Sequence, residues 1–102
     1  MPLTASDWAL VTPSGAGNPI TIAAANTIAP VAFLTILTGN VVVKTITPPL
    51  SGAHMLAIQF AGVLGNDNSG NILTAKASVA GMVILYIYNP ATAKYVPVGD
   101  NA

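Results

Sequence analysis

The sequence predicts an all-β domain: a small antiparallel β-sandwich or short barrel, jelly-roll-like, preceded by an extended N-terminal arm. Three observations carry this expectation. Eight prolines and nine glycines are spread along the 102 residues, which leaves little room for a helix longer than two turns. β-Branched residues dominate from Pro19 onward, as pleated strands prefer. Seven short apolar segments alternate with turn-forming clusters over about 80 residues, the rhythm of an antiparallel all-β fold.

The elements follow in order. Residues 1–18 contain Pro2, Pro13, Gly15 and Gly17 with a lone Trp8, and read as an arm that ends in the loop Ser14-Gly15-Ala16-Gly17-Asn18. Residues 19–102 then form a single β domain, the chain being long enough for one domain and not two. A short strand is expected over 20–23. Ala23-Ala24-Ala25 is too brief for more than one helical turn. Strands over 31–37 and 41–47, joined by Thr38-Gly39-Asn40, read as a hairpin. Pro48 and Pro49 stop the second of these, because proline cannot donate to a central ladder. A fourth strand is expected over 54–61, a polar loop over 62–70, a fifth strand over 71–77 and a sixth over 82–88. Asn89-Pro90-Ala91-Thr92 turns the chain into a last strand over 94–98.

Charge is scarce. Three lysines and three aspartates are the only charged residues, 6% of the chain against roughly a quarter in an ordinary soluble domain, while 53% are hydrophobic. Three lysines and no arginine cannot supply the phosphate contacts of nucleic-acid binding. A formal net charge of zero gives no steering toward an anionic membrane. Disorder is disfavoured by the high apolar content. The most apolar stretch, 20–37, is interrupted by Thr21, Asn26, Thr27, Pro30 and Thr35, so no spanning helix is expected. The start, MPLTASDWAL, has no positive segment before an apolar one and does not read as a secretory signal. Cysteine is absent, which removes disulfide and thiol chemistry. A neutral, charge-poor surface invites association, so an obligate assembly is expected.

The strands themselves point the same way. In 54–61, Leu56, Ile58 and Phe60 oppose Met55, Ala57, Gln59 and Ala61. In 82–88, Val83, Leu85 and Ile87 oppose Met82, Ile84, Tyr86 and Tyr88. A strand with one face in water alternates apolar with polar, and these do not. Either a subunit interface or the middle layer of a curled sandwich accounts for a second covered face. The charge deficit favours the interface. Met82, Ile84, Tyr86 and Tyr88 are its candidate residues, since a tyrosine ring joins an apolar body to a polar tip. Trp8 is the candidate anchor into a neighbouring subunit.

Catalytic parts are few, and no enzymatic activity is expected. His54 is the single histidine, with Ser51 three residues before it, and no G-x-S-x-G elbow surrounds any serine. Asp7, Asp67 and Asp100 lie in the arm, a loop and the tail, with nothing to bring two carboxylates together. Asn66-Asp67-Asn68-Ser69-Gly70-Asn71 lacks the acidic spacing and closing Glu of a calcium loop and reads as a turn. Gly15-Ala16-Gly17 has no helix start after it and is not a phosphate cradle. The lysines read as solvent-facing or edge-strand charges. No cofactor, metal, nucleic acid or membrane is expected as a partner.

One longer pattern carries a resemblance. In order come residues 42–46, Thr47-Pro48-Pro49, Ser51-Gly52, an apolar strand, Gly70-Asn71-Ile72, Ala77, Val79, Gly81, the strand to Tyr88, and the ending Lys94-Tyr95-Val96-Pro97. Over residues 27–98 this series resembles a small β module of structural proteins from tailed bacteriophages. The chain differs in having Tyr95 and Val96 where the module usually has a Trp, and Asn89-Pro90-Ala91-Thr92 where it often has Asp-Gly. The resemblance implies a capsid decoration (cement) protein on the outer surface of the phage head. It also implies a homotrimer that binds the major capsid protein, with the arm reaching across a neighbour. The alternative is a tail fibre or spike receptor-binding module, with residues 66–71 and exposed tyrosines meeting a sugar. A chain of this length is expected to be the former.

Overall fold

The computed structural model describes residues 19–101. The described chain has seven strands and no helix: β1 (Ile20–Ala23), β2 (Thr27–Ile28), β3 (Leu34–Thr38), β4 (Thr45–Ile46), β5 (His54–Phe60), β6 (Met82–Asn89) and β7 (Lys94–Asp100). The all-β expectation holds. The arm assigned to residues 1–18, with Trp8, lies outside the described residues.

Two sheets form. The larger runs in the order β1-β3-β5-β6-β7, and β2 pairs with β4 in a smaller one. β5 is therefore the central strand. β1, β3 and β5 are mutually parallel, whereas β5-β6 and β6-β7 are antiparallel. The large sheet is thus mixed, not wholly antiparallel. Parallel neighbours need a crossover between them. Here each crossover carries a strand: β2 lies between β1 and β3 in the chain, β4 lies between β3 and β5, and these two pair in parallel with each other.

This arrangement overturns the expected hairpin between 31–37 and 41–47. A strand has two edges, and β3 gives one to β1 and the other to β5. Thr38 O accepts from Ala24 N at 2.7 Å, and Leu37 O accepts from Ala61 N at 3.0 Å. No edge is left for residues 41–47. Thr38-Gly39-Asn40 does turn the chain, with Gly39 at a φ of +88° that favours glycine, but it turns it out of the sheet. The expected fifth strand over 71–77 is also not formed. Residues 61–81 make only single bridges, Val43 with Asn66, Asn66 with Lys76, and Ile72 with Tyr95.

The core lies on one face of the large sheet. Register sets its rows: Leu37, Phe60 and Met82; Thr35, Ile58 and Ile84; Leu56 and Tyr86; His54, Tyr88 and Tyr95. Against them pack Ile28 of β2, Ile46 of β4, and Val43 and Ile72 from the connections, in one buried cluster. Each such large side chain contributes about 1.5–3 kcal/mol over its exposed state. The second layer is therefore built largely from crossovers and loops. Gly65 shows how closely it fits: its φ is +62°, and a Cβ there would collide with the Lys76 carbonyl oxygen.

Candidate functional site

The side chains on the other face of the large sheet follow from the same register. One row holds Thr21, Ile36, Gln59 and Val83; the next Leu34, Ala57 and Leu85; the third Met55, Ile87 and Val96. Eight of these ten are apolar and none is charged; by the same alternation Ala23 and Thr38 at one end, and Asn89 and Lys94 at the other, complete the face, so its one charge stands at the rim. Ala57, at the middle of the central strand, is buried at 3% exposure between its neighbours. Leu34, Ile36, Met55, Val83, Leu85 and Val96 are half-buried, and Ile87 is 39% exposed. Gln59 is the central polar residue, and its Nε2 donates to Gly81 O at 3.2 Å. An outer sheet face in water normally carries polar side chains at alternate positions. This one does not.

Four of the residues expected at an interface lie on the opposite side. Met82, Ile84, Tyr86 and Tyr88 are 6%, 0%, 0% and 9% exposed, covered by the second layer of their own chain. They are corrected to core residues. The physical reason is that both rows of β6 are apolar, so alternation fixes which side chains share a face but not which face is inside. Val83, Leu85 and Ile87 are the outward row.

The tyrosines find polar partners inside. Tyr86 Oη donates to Asn66 Oδ1 at 2.7 Å, and Asn66 Nδ2 donates to Asp67 O and Thr74 O. Tyr95 Oη lies 2.7 Å from His54 Nε2. The rings of Tyr88 and Tyr95 are 4.9 Å apart, and His54 stands 5.2 Å from Tyr88. Burial pushes the hydroxyls of Tyr86 and Tyr95 to titrate well above the usual phenol range. No described tyrosine is exposed, so the expected stacking of exposed tyrosines on a sugar is corrected as well.

His54 itself is 5% exposed. Its Nδ1 donates to Gly52 O at 2.7 Å, leaving Nε2 to accept from Tyr95. Nε2 thus ties β5 to β7, while Nδ1 holds the turn that leads into β5.

The loop over 66–71 is equally engaged within the chain. Asp67 Oδ1 accepts from Ser69 N and Oγ at 3.0 and 2.8 Å, and Oδ2 pairs with Lys44 Nζ at 2.6 Å. The hydrogen bond from Lys44, helped by those from Ser69, lowers the Asp67 pKa to about 2. Asn71 imitates a strand, accepting from Ile46 N at 2.8 Å and donating to Ile46 O at 2.7 Å. Sequence reading missed this role, since an Asn in a turn-rich run reads first as a turn former.

The described charges are likewise used internally. Lys76 pairs with Asp100 at 2.6 Å, across a cleft of about 310 Å³ lined also by Thr74, Ala75, Pro97, Val98 and Gly99. Lys94 Nζ donates to Gly70 O at 3.3 Å. Among the described residues, no three His, Cys, Asp or Glu side chains gather to hold a metal ion. The outer sheet face, apolar at its centre with Lys94 at its rim, is the candidate functional surface. Comparison with known proteins finds no family model, no curated protein and no solved structure that matches the chain.

Proposed function

We propose that this chain is a structural, non-enzymatic virion protein, a decoration or cement protein of a bacteriophage head. In this reading it binds the assembled shell of the major capsid protein as a homotrimer and stabilises it. The observation that carries the proposal is the outer face of the large sheet, whose three central rows hold eight apolar side chains and no charge. Such a face suits burial in an assembly, where it would no longer meet water. The ordered motif series from residue 42 to Pro97 supplies the kind of assembly.

The mechanism needs no reacting group. A ligand that binds one state of a macromolecule and not another stabilises the bound state by its binding free energy. Many copies on a symmetric shell, each of modest affinity, would together oppose its opening. The fibre or spike reading is less well supported, because the side chains of Asn66, Asp67 and Asn71 are engaged within the chain and the described tyrosines are buried.

The test is to mix the purified chain with shells assembled from the major capsid protein of the same genome. The reading expects saturable binding to the shells, none to the unassembled capsid subunit, and a higher rupture temperature for decorated shells. Failure to bind assembled shells would contradict it, and saturable binding to a bacterial surface glycan would favour the fibre reading.

A further inference from the structure

We propose that the outer face of the large sheet is the contact between copies of this chain, so that its occupant is a second copy. Leu34, Ile36, Met55, Leu85 and Ile87 of one copy pack against the same face of another. In a trimer, the three faces turn toward a common axis. The inference rests on the reading that the chain works within an assembly, and it names the surface and the partner.

Charge selects this occupant. The three central rows carry no ionisable group, so they offer nothing to recognise a charged partner and would leave a charge placed on them unpaired. The chain has a formal net charge of zero, so copies meet without repulsion. Lys44 and Lys76 are paired with Asp67 and Asp100, and Lys94, at the rim of the face beside Val96, donates its Nζ to Gly70 O. Gln59 is tied to Gly81 O within its own chain. What the central rows present is apolar relief around an internally bonded Gln59, and the same surface on another copy is its complement.

Area agrees. With strands about 4.8 Å apart and about 3.3 Å of rise per residue, the sheet presents roughly 500 Å² in projection. Three such faces gathered at one axis cover about 1,500 Å² in all, within the range of specific interfaces, and side-chain relief adds to the flat figure. The relief has a usable shape. Ala57 forms a low centre flanked in register by Leu34 and Leu85, so ridges from one sheet can settle beside the small side chain of another.

The experiment is sedimentation equilibrium of the full-length chain and of Leu85→Asp, with Val79→Asp as a control. Val79 is 56% exposed and lies outside the rows of the face. The proposal expects Leu85→Asp to fall to the 10.3 kDa monomer with an unchanged circular-dichroism spectrum, while Val79→Asp keeps the parent mass. A Leu85→Asp chain that folds and keeps the parent mass overturns the proposal. Should that variant fail to fold, Ile87→Cys replaces it, as the only thiol in a chain without cysteine. Maleimide labelling slower in the oligomer than in diluted monomer supports the contact, and equal rates overturn it. A monomeric parent whose Leu85 is needed for shell binding overturns the contact and spares the decoration reading. An oligomer dissolved by Leu85→Asp that binds no shell does the reverse.

Discussion

His54 Nε2 accepts a hydrogen bond from Tyr95 Oη at 2.7 Å, joining the first residue of β5 to the second of β7 across the register partner Tyr88 on β6. The direction of this bond is set at the other side of the ring. The Gly52 carbonyl can only accept, so Nδ1 carries the proton and Nε2 has the lone pair. Tyr95→Phe keeps the ring packing and removes the donor, leaving a buried nitrogen unpaired. The variant should lose about 1–3 kcal/mol of stability. Urea unfolding checks this, and a midpoint equal to that of the parent would show that the bond contributes nothing.

Thr35 presents the opposite case. Its Oγ1 is buried on the core face of β3 with no hydrogen-bond partner among the described residues, in register with Ile58. Thr35→Val fills the same volume without the hydroxyl. The substitution should raise stability by about 1 kcal/mol, since an unpaired buried hydroxyl is removed. Thermal unfolding of the two proteins side by side is the check; a lower Tm for the valine variant would contradict it.

Gly65 is the tightest backbone approach tied to a left-handed conformation. Ala there meets both a φ of +62° and the Lys76 carbonyl, on the segment that places Asn66 beneath Tyr86. Gly65→Ala should cost at least about 1–3 kcal/mol from backbone strain. It should also disturb Tyr86, read as a change in near-ultraviolet circular dichroism. Ala at Gly52, where a Cβ has open space, should leave that spectrum unchanged.

The Lys44–Asp67 pair gives the chain a pH dependence with a definite sign. Asp67 titrates at about 2 in the fold against an ordinary 3.8, so the folded state binds its proton less readily than the unfolded state. The stabilisation is complete above about pH 4 and disappears as the pH falls through about 2. Asp67→Asn should therefore be less stable than the parent at pH 7, and the gap should close between pH 4 and 2. A gap that stays constant over that range would show that the ion pair is not its source.

Much of the fold is legible in the sequence, for identifiable reasons. β1 is bounded by Pro19 and a run of alanines, β5 and β6 are long, mostly apolar runs, and β7 follows the Asn89-Pro90-Ala91-Thr92 turn, so their positions follow from pattern. The pairing of β3 does not, because a Gly-Asn turn after a strand looks alike whether it closes a hairpin or leads into a crossover. The segment over 71–77 alternates like a strand, yet Ile72 alone enters the core while the backbone makes single bridges. The candidate site was half legible. That β6 is apolar on both faces can be read directly, and it singled out the strand. Which row faces outward depends on Asn66 and His54, the interior partners of Tyr86 and Tyr95, and these come from distant parts of the chain. The tyrosines looked suited to an interface for their polar tips, and those tips are what the core uses.

The central claim is that the missing charge and the apolar outer face mark surface that assembly covers. The mass of the purified full-length chain in solution, by sedimentation equilibrium, tests it most directly. The account predicts a species of three times 10.3 kDa that persists on dilution. A monomer of 10.3 kDa, stable and soluble at high concentration, would contradict it.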